Sequence, residues 1–492
     1  MKKLPPLWIS CVPLIILVAL ISCVVSVFGD ETLAGASQIA LMVATACCVS
    51  IGLLTRHIVW KQFEDAISEK VAGISQAIII LLLIGALGGA WMVSGVVPTL
   101  IYYGMEIMNP QWFLVSSCII CAIVSVMTGS SWTTVATIGV ALLGIGQALG
   151  FNEMWIAGTI ISGAYFGDKI SPLSDTTVLA SSTVGTPLFT HIRYMMFTTI
   201  PTFVVTLLIF SLRGLMYAPT TTDHILVVQE ALQNTFFLSP WLLIVPVVTT
   251  IMILFRLPSM VVLFLATLLG ALVAVFMQGD LLDRIAGTDL TGFAQRFRGS
   301  LILVYGSTSL DTGVSELNDL VATRGMSGML STIWLILCAT FFGAAMTVTR
   351  MIDSIMLALL RLVQGTVSMV ASTAFTGIFL NIVCADQYLS IILTSTMFGD
   401  TYRKIGYEPR LLSRTCEDSA TVTSVLIPWN TCGMTQSSVL GVSTLAYAPY
   451  CFFCYLSPLM TVLMAALGWN IVRKPVVEGK TAPSIALRDS EE

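Results

Sequence analysis

The chain has 492 residues, 56% of them hydrophobic and only 10% charged, with a mean hydropathy of +0.91. Soluble domains carry about 25% charged residues, so a water-soluble body is excluded. A net charge of −4 and a pI near 5.5 leave no basic footprint for nucleic acid. Each membrane crossing takes about 20 apolar residues, and apolar runs fill most of the chain. The composition predicts an all-α polytopic membrane protein.

In chain order, the first apolar run covers 6–28. Lys2 and Lys3 before it imitate a secretory leader, but Leu7–Phe28 outruns a signal core of about 7–15 residues. It reads as the first transmembrane helix. Helices follow at 37–54 and 72–103; the latter holds Gly85, Gly88, Gly89, Gly95 and Pro98, so it is expected to bend or break. Next come 112–127, a polar cluster Thr128–Thr134, and 135–149. Segment 154–165 leads into the polar Gly167–Thr177, and 192–212 follows. Beyond a more polar stretch at 213–240, helices are expected at 241–255 and 258–278. A second polar stretch, 279–326, precedes 327–348. Segment 366–383 runs into Cys384–Ser390, which 391–399 follows. Segment 415–427 runs into Pro428–Ser438, and 446–468 closes the membrane part. Almost all of the 12 cysteines lie inside apolar runs. The C-x-x-C pairs Cys118/Cys121 and Cys451/Cys454 therefore read as small packing residues rather than redox or zinc sites.

The two parts align at a spacing of 256 residues: Ser75 with Ser331, Gly150 with Gly406, Pro172 with Pro428, Gly185 with Gly441, Tyr194 with Tyr450. One gapless offset points to an internal duplication, and interrupted hydrophobic segments at matching places point to a transporter site at the midplane. If 112–149 and 366–399 are re-entrant hairpins, each half has an odd number of crossings and the halves are inverted. The first repeat then covers 1–240, the second 241–470, and 471–492 is a cytoplasmic tail. With the N-terminus inside, 17 of the 23 Lys and Arg fall inside and five outside, with Lys169 in the membrane. That bias obeys the positive-inside rule.

Five acids and one lysine fall in or beside the interruptions: Asp168, Lys169, Asp175, Asp386, Glu417 and Asp418. A charge at the bilayer centre costs about 2.5–3.5 kcal/mol even on lenient scales. One lysine cannot neutralise five acids, so cations or protons are expected to supply the remaining positive charge. Lys169 is expected to act as a structural counter-charge, pairing with Asp168 or Asp175. Hard-cation oxygen ligands are expected from Asp175, Asp168, Asp386, Ser130, Thr176, Asn430 and Thr431. Proton coupling is expected at Asp175, Glu417 and Asp418. Pro172 and Pro428 break their helices and free backbone carbonyls, so Asp175 should head the half-helix after Pro172. The alternative role for Asp175 is a simple N-cap. His57, His191 and His224 are scattered, and no H-E-x-x-H motif or nucleophile elbow occurs, so no enzyme and no cofactor beyond the transported ions is expected.

Phe166–Thr177 (FGDKISPLSDTT), Thr128–Val135 (TGSSWTTV), Glu417–Thr423 (EDSATVT) and Ile427–Gly433 (IPWNTCG) resemble the NhaC-type sodium/proton antiporters. The resemblance covers about 70–470. It implies a secondary antiporter of the bacterial inner membrane, built from inverted repeats with hairpins, often homodimeric, moving sodium and protons. It also leaves open exchange of a small organic acid of the malate or lactate type, or of an amino acid, coupled to the same cations. Where relatives read Asp-Thr-Thr-Asn-Leu-Ala, this chain has Val178 in place of Asn. No Arg lies in the interruptions themselves, which weighs against a carboxylate substrate.

Overall fold

A computed structural model describes residues 4–28, 35–55, 57–216, 222–255, 257–287, 291–314, 317–318, 321–361 and 365–471. Lys2, Lys3, Arg56, Arg256, Arg473, Lys474, Lys480 and Arg488, counted above on the inner side, lie outside the described residues, as does the tail from 472. The described chain is helical, and its one β contact is an isolated bridge between Thr308 and Thr323. Nine of its helices are long and apolar enough to cross a membrane, or eleven if two bent pairs count as spans.

The first part holds α1 (Leu7–Phe28), α2 (Ala36–Leu54), α3 (Trp60–Val93), α4 (Val96–Ile107), α5 (Phe113–Thr128) and α6 (Ser131–Ala148). It continues with α7 (Glu153–Ile170), α8 (Asp175–Val184) and α9 (Leu188–Leu215). The segment expected at 72–103 is two helices, broken at Ser94–Gly95, where Gly95 has φ 81°. It also starts earlier, at Trp60. The added turns carry the exposed Lys61–Asp65 ion pair (3.0 Å, four residues apart), so they are amphiphilic rather than apolar and escape a hydropathy reading.

The polar stretch 213–240 contains α10 (Thr222–Thr235). Then come α11 (Ile244–Leu254), α12 (Ser259–Met277), α13 (Gly279–Ala286), α14 (Phe293–Tyr305), α15 (Leu330–Val348) and α16 (Met351–Leu360). Helices α13 and α14 lie in the stretch 279–326 that composition marked only as polar. The last part holds α17 (Thr366–Cys384), α18 (Gln387–Ile405), α19 (Pro409–Cys416), α20 (Thr431–Leu440), α21 (Thr444–Tyr447) and α22 (Phe452–Ala466). A π-helical turn, Glu417–Thr421, extends α19, and α6 contains another at Val135–Gly139.

Two helix pairs double back on themselves. In α5–α6, Phe113 at the start meets Phe151 just past the end, with ring centroids 5.3 Å apart. In α17–α18, the hydroxyls of Thr366 and Tyr407 lie 2.5 Å apart. Helix α7 packs against α5 through Gly163 and Gly167, one turn apart on one face. A Cβ at these positions would lie 2.2 Å from the Cys118 carbonyl and 2.4 Å from that of Ala122. Small residues let helix backbones meet where lipid supplies no hydrophobic drive. Cys118 and Cys121 lie buried in this seam, and the cysteines are free thiols.

The 256-residue spacing recurs in the fold. Helices α8 and α20 have bounds offset by that number at both ends, each closed by a left-handed glycine, Gly185 (φ 75°) and Gly441 (φ 69°). The Ser125 hydroxyl donates to the Ala164 carbonyl at 2.6 Å, and the Asn381 amide to the Ala420 carbonyl at 2.6 Å.

Candidate functional site

The α5–α6 pair turns at Gly129–Ser130, where Gly129 takes φ 66°, and Ser130 caps α6 by accepting from the Thr133 N–H (3.2 Å). The α17–α18 pair turns at Ala385–Asp386, where Ala385 takes φ 56° and Asp386 caps α18 by accepting from the Leu389 N–H (2.8 Å). Both tips meet the breaks that follow α7 and the turn after α19. Ser131 donates to Asp168 Oδ2 from its backbone N–H (3.0 Å) and hydroxyl (2.7 Å); at the matching place Ser424 donates to Gln387 Oε1 (3.1 Å). Asp168 therefore sits on the N-terminus of α6, where the helix dipole favours a negative charge.

Where the tips meet, a cavity of about 710 Å³ opens, walled also by α3 from Gly73 to Ile80 and by the α11–α12 junction. It brings together Asp168, Asp175, Asp386, Ser130, Thr176 and Thr431, with the rings of Trp132 and Tyr388. Asp175 is exposed to it and heads α8, as its place after Pro172 predicts; the N-cap position is Ser174. Asn430 lies outside the lining. Its amide serves the fold, accepting from the Cys432 N–H (3.0 Å) and donating to the Asn381 carbonyl (3.1 Å). Val178 is 43% exposed on α8 and is absent from the lining. Among the described residues no three of His, Cys, Asp and Glu come close enough to hold a metal ion together. A cation here would take one or two carboxylates and complete its shell with hydroxyls and carbonyls.

Glu417, Asp418 and Lys169 form a second cluster, fully buried beside the cavity. Lys169 pairs with Asp418, 249 residues away, rather than with Asp168 or Asp175 as expected; the reason is helical geometry. Adjacent residues on a helix point about 100° apart, so Asp168 turns to the cavity and Lys169 turns away from it. Lys169 also donates to Ser457 Oγ (2.9 Å), and Thr198 Oγ1 donates to Asp418 Oδ1 (3.2 Å). Arg414, counted from sequence as an inner-side charge, is fully buried, with Nε 3.9 Å from Asp418 Oδ2 and its guanidinium 4.7 Å from the Tyr194 ring centre. Its four-residue spacing from Asp418 on one helix is the signal that marks it. Ser457 and Thr198 sit in apolar runs with no comparable signal.

A second cavity, about 470 Å³, lies further along the same elements, walled by α3 from Ile84 to Met92, by α6 from Ala136 to Gln147, and by Ser438–Gly441. Glu153 and Arg324 reach it.

Comparison with known proteins bears directly on this arrangement. The profile of the Na+/H+ antiporter family matches residues 2–185 and 163–469. The chain belongs to the Na+/H+ antiporter family. It is 38% identical over 421 residues to the Na(+)/H(+) antiporter NhaC of Alkalihalophilus pseudofirmus, covering 86% of this chain and 88% of that protein. It is 35% identical over 433 residues to the Malate-2H(+)/Na(+)-lactate antiporter of Bacillus subtilis, covering 88% and 89%. It is 33% identical over 420 residues to the Arginine/ornithine antiporter ArcD of Halobacterium salinarum, covering 84% and 83%. The motifs of the two tips and two breaks thus sit in an antiporter framework, and the chain is an integral membrane protein of that family.

Proposed function

We propose that this protein exchanges sodium ions for protons across the bacterial inner membrane, with sodium bound where the two hairpin tips meet. The observation that carries this reading is the cavity itself: three carboxylates and several hydroxyls, with no Lys or Arg among the described residues lining it. Hard oxygen ligands suit an alkali cation. A carboxylate that holds a proton has lost the charge that attracts sodium, so binding of one expels the other. Asp175 is the principal shared ligand, with Asp168 and Asp386 beside it. Two inverted repeats, 1–240 and 241–470 with a cytoplasmic tail at 471–492, are supported by the returning helix pairs and by contacts that recur at one spacing. The excess of Lys and Arg on one side supports cytoplasmic termini. On that orientation the cavity holding Asp175 faces the cytoplasm and the one reached by Arg324 faces outside.

The test is purified protein in liposomes loaded at low pH, with a sodium gradient and a pH-sensitive dye. Sodium-driven alkalinisation in wild-type vesicles, absent from empty ones, is the expected result; its absence sinks the reading. A second reading, a coupled exchanger of a small organic solute, draws on cavity size, since 710 Å³ falls in the range of small-molecule pockets. Malate, lactate, arginine and ornithine added singly to the same vesicles separate the two. A flux that requires one of them supports the second reading.

A further inference from the structure

Helix α3 carries a cation that has no acid to pair with on its own face. Three and four residues from Lys70 on either side stand Ala66, Ile67, Gly73 and Ile74, none of them charged. Further back, Glu64 and Asp65 are taken by Lys61, and that group is exposed. Glu69 is exposed as well and, as the adjacent residue, points about 100° away. Among the described residues, Lys70 Nζ is the one lysine nitrogen buried without a hydrogen-bond partner. Burying an ammonium without a partner is costly, so a charge of opposite sign is called for close by.

Packing says where that charge is. Phe63, Ile67 and Ile74 lie on the Lys70 face of α3 and share a buried cluster with Cys384 and Ala385, at the turn of the α17–α18 pair. Gly73 and Ile74, one turn on from Lys70, line the main cavity together with Asp386. Lys70 lies within electrostatic reach of Cys384 and Asp386. It thereby sits by the C-terminal end of α17, where free carbonyls favour a positive charge. Asp386 gives Oδ1 to the Leu389 N–H (2.8 Å), and its carboxylate borders the cavity. Lysine is a compact charge on a flexible four-carbon stem, able to advance on Asp386 or to withdraw.

We propose that Lys70 is the resident counter-charge of Asp386 in the sodium-free cavity, and that sodium binds by competing with its ammonium for that carboxylate. The inference rests on the antiport reading above. Lys70 stays protonated throughout, and no covalent bond changes. Its place one turn outside the lining lets it lower the sodium affinity of the cavity without filling it. A unit charge a few Å away, at an effective dielectric of about 20, alters ion binding by about tenfold or more. Lys70 is thus a positioning residue: it holds Asp386 in place while the site is empty and sets how tightly sodium is held.

The experiment is a calorimetric sodium titration of the purified protein in detergent at one fixed pH, with the apparent sodium constant for proton flux measured in liposomes. Lys70→Gln and Lys70→Met should each bind sodium about tenfold more tightly than wild type. Removing a residue that only supports the fold would weaken binding or leave it alone. Lys70→Arg keeps the charge and should stay within about twofold of wild type. In an Asp386→Asn background the gain from Lys70→Gln should vanish, and melting in detergent checks that each variant is folded. Unchanged or weaker binding in the folded Gln and Met variants overturns the proposal. So does an Arg variant that binds as tightly as the Gln one, or a gain that survives Asp386→Asn. If the Asn protein binds no sodium, the single variants decide. If neither neutral variant folds, Lys70 is a structural residue and the proposal falls. Wild-type vesicles with no sodium-driven proton flux remove the antiport reading itself, an outcome distinct from an active exchanger whose sodium constant ignores Lys70.

Discussion

Asp175 and Lys169 lie six residues apart and face different tests. Because Ser174, not Asp175, occupies the N-cap position, Asp175→Asn removes only a first-turn charge, about 0.3–1 kcal/mol of helix stability. Exchange should nonetheless fall, with sodium binding weakened at least about tenfold, some 1.4 kcal/mol. Sodium-driven proton flux and the apparent sodium constant across pH check this; unchanged values would remove Asp175 from the site. Lys169→Ala strands Asp418 among buried groups and should cost about 3–5 kcal/mol in detergent melting. Lys169→Met combined with Asp418→Leu should recover much of that stability without recovering exchange. Normal melting of Lys169→Ala would contradict the pairing. Sequence alone singled out these acids, because a charge in an apolar run stands out whatever its partner. Their partners were not legible: the Lys169–Asp418 pair spans 249 residues, and which face of α7 each side chain takes is settled only by packing.

The hairpin tips are built from the same device with different residues. Gly129 sits left-handed in one and Ala385 in the other. A Cβ on Gly129 would lie 2.6 Å from the Leu173 carbonyl carbon, in the break that leads to Asp175. Gly129→Ala should therefore lose about 1–2 kcal/mol from the left-handed conformation alone, and more from that contact, and should weaken sodium binding by moving the break. Ala385→Gly, which relieves the same conformation, should leave both within about 0.5 kcal/mol, since relief offsets the greater freedom of glycine in the unfolded chain. Thermal melts and sodium titrations of the two variants check the contrast. At this scale the 256-residue offset and the proline breaks were readable, because they are properties of the residues in order. Helices α13 and α14 and the first turns of α3 were not, since their charged faces mask a helical period from any reading that sums hydropathy.

Across the whole molecule, the proposed inverted topology makes a prediction about sidedness. Single cysteines introduced beside Lys404 and in place of Asp283, in a background lacking reactive thiols, should label from opposite sides of the membrane in intact cells and inverted vesicles. Labelling of both from one side contradicts the inverted arrangement. The two cavities, meanwhile, lie end to end, and on α3 only Leu81–Leu83 separate Ile80 in one from Ile84 in the other. Four helical residues rise about 6 Å, against a hydrocarbon thickness of about 30 Å. With solvent reaching both cavities, the membrane's electric field falls across that short septum and is about fivefold steeper there than through lipid. An ion that moves past Leu81–Leu83 then feels most of the ~2.3 kcal/mol per 100 mV that the membrane imposes on a unit charge, over a stroke of roughly one helical turn.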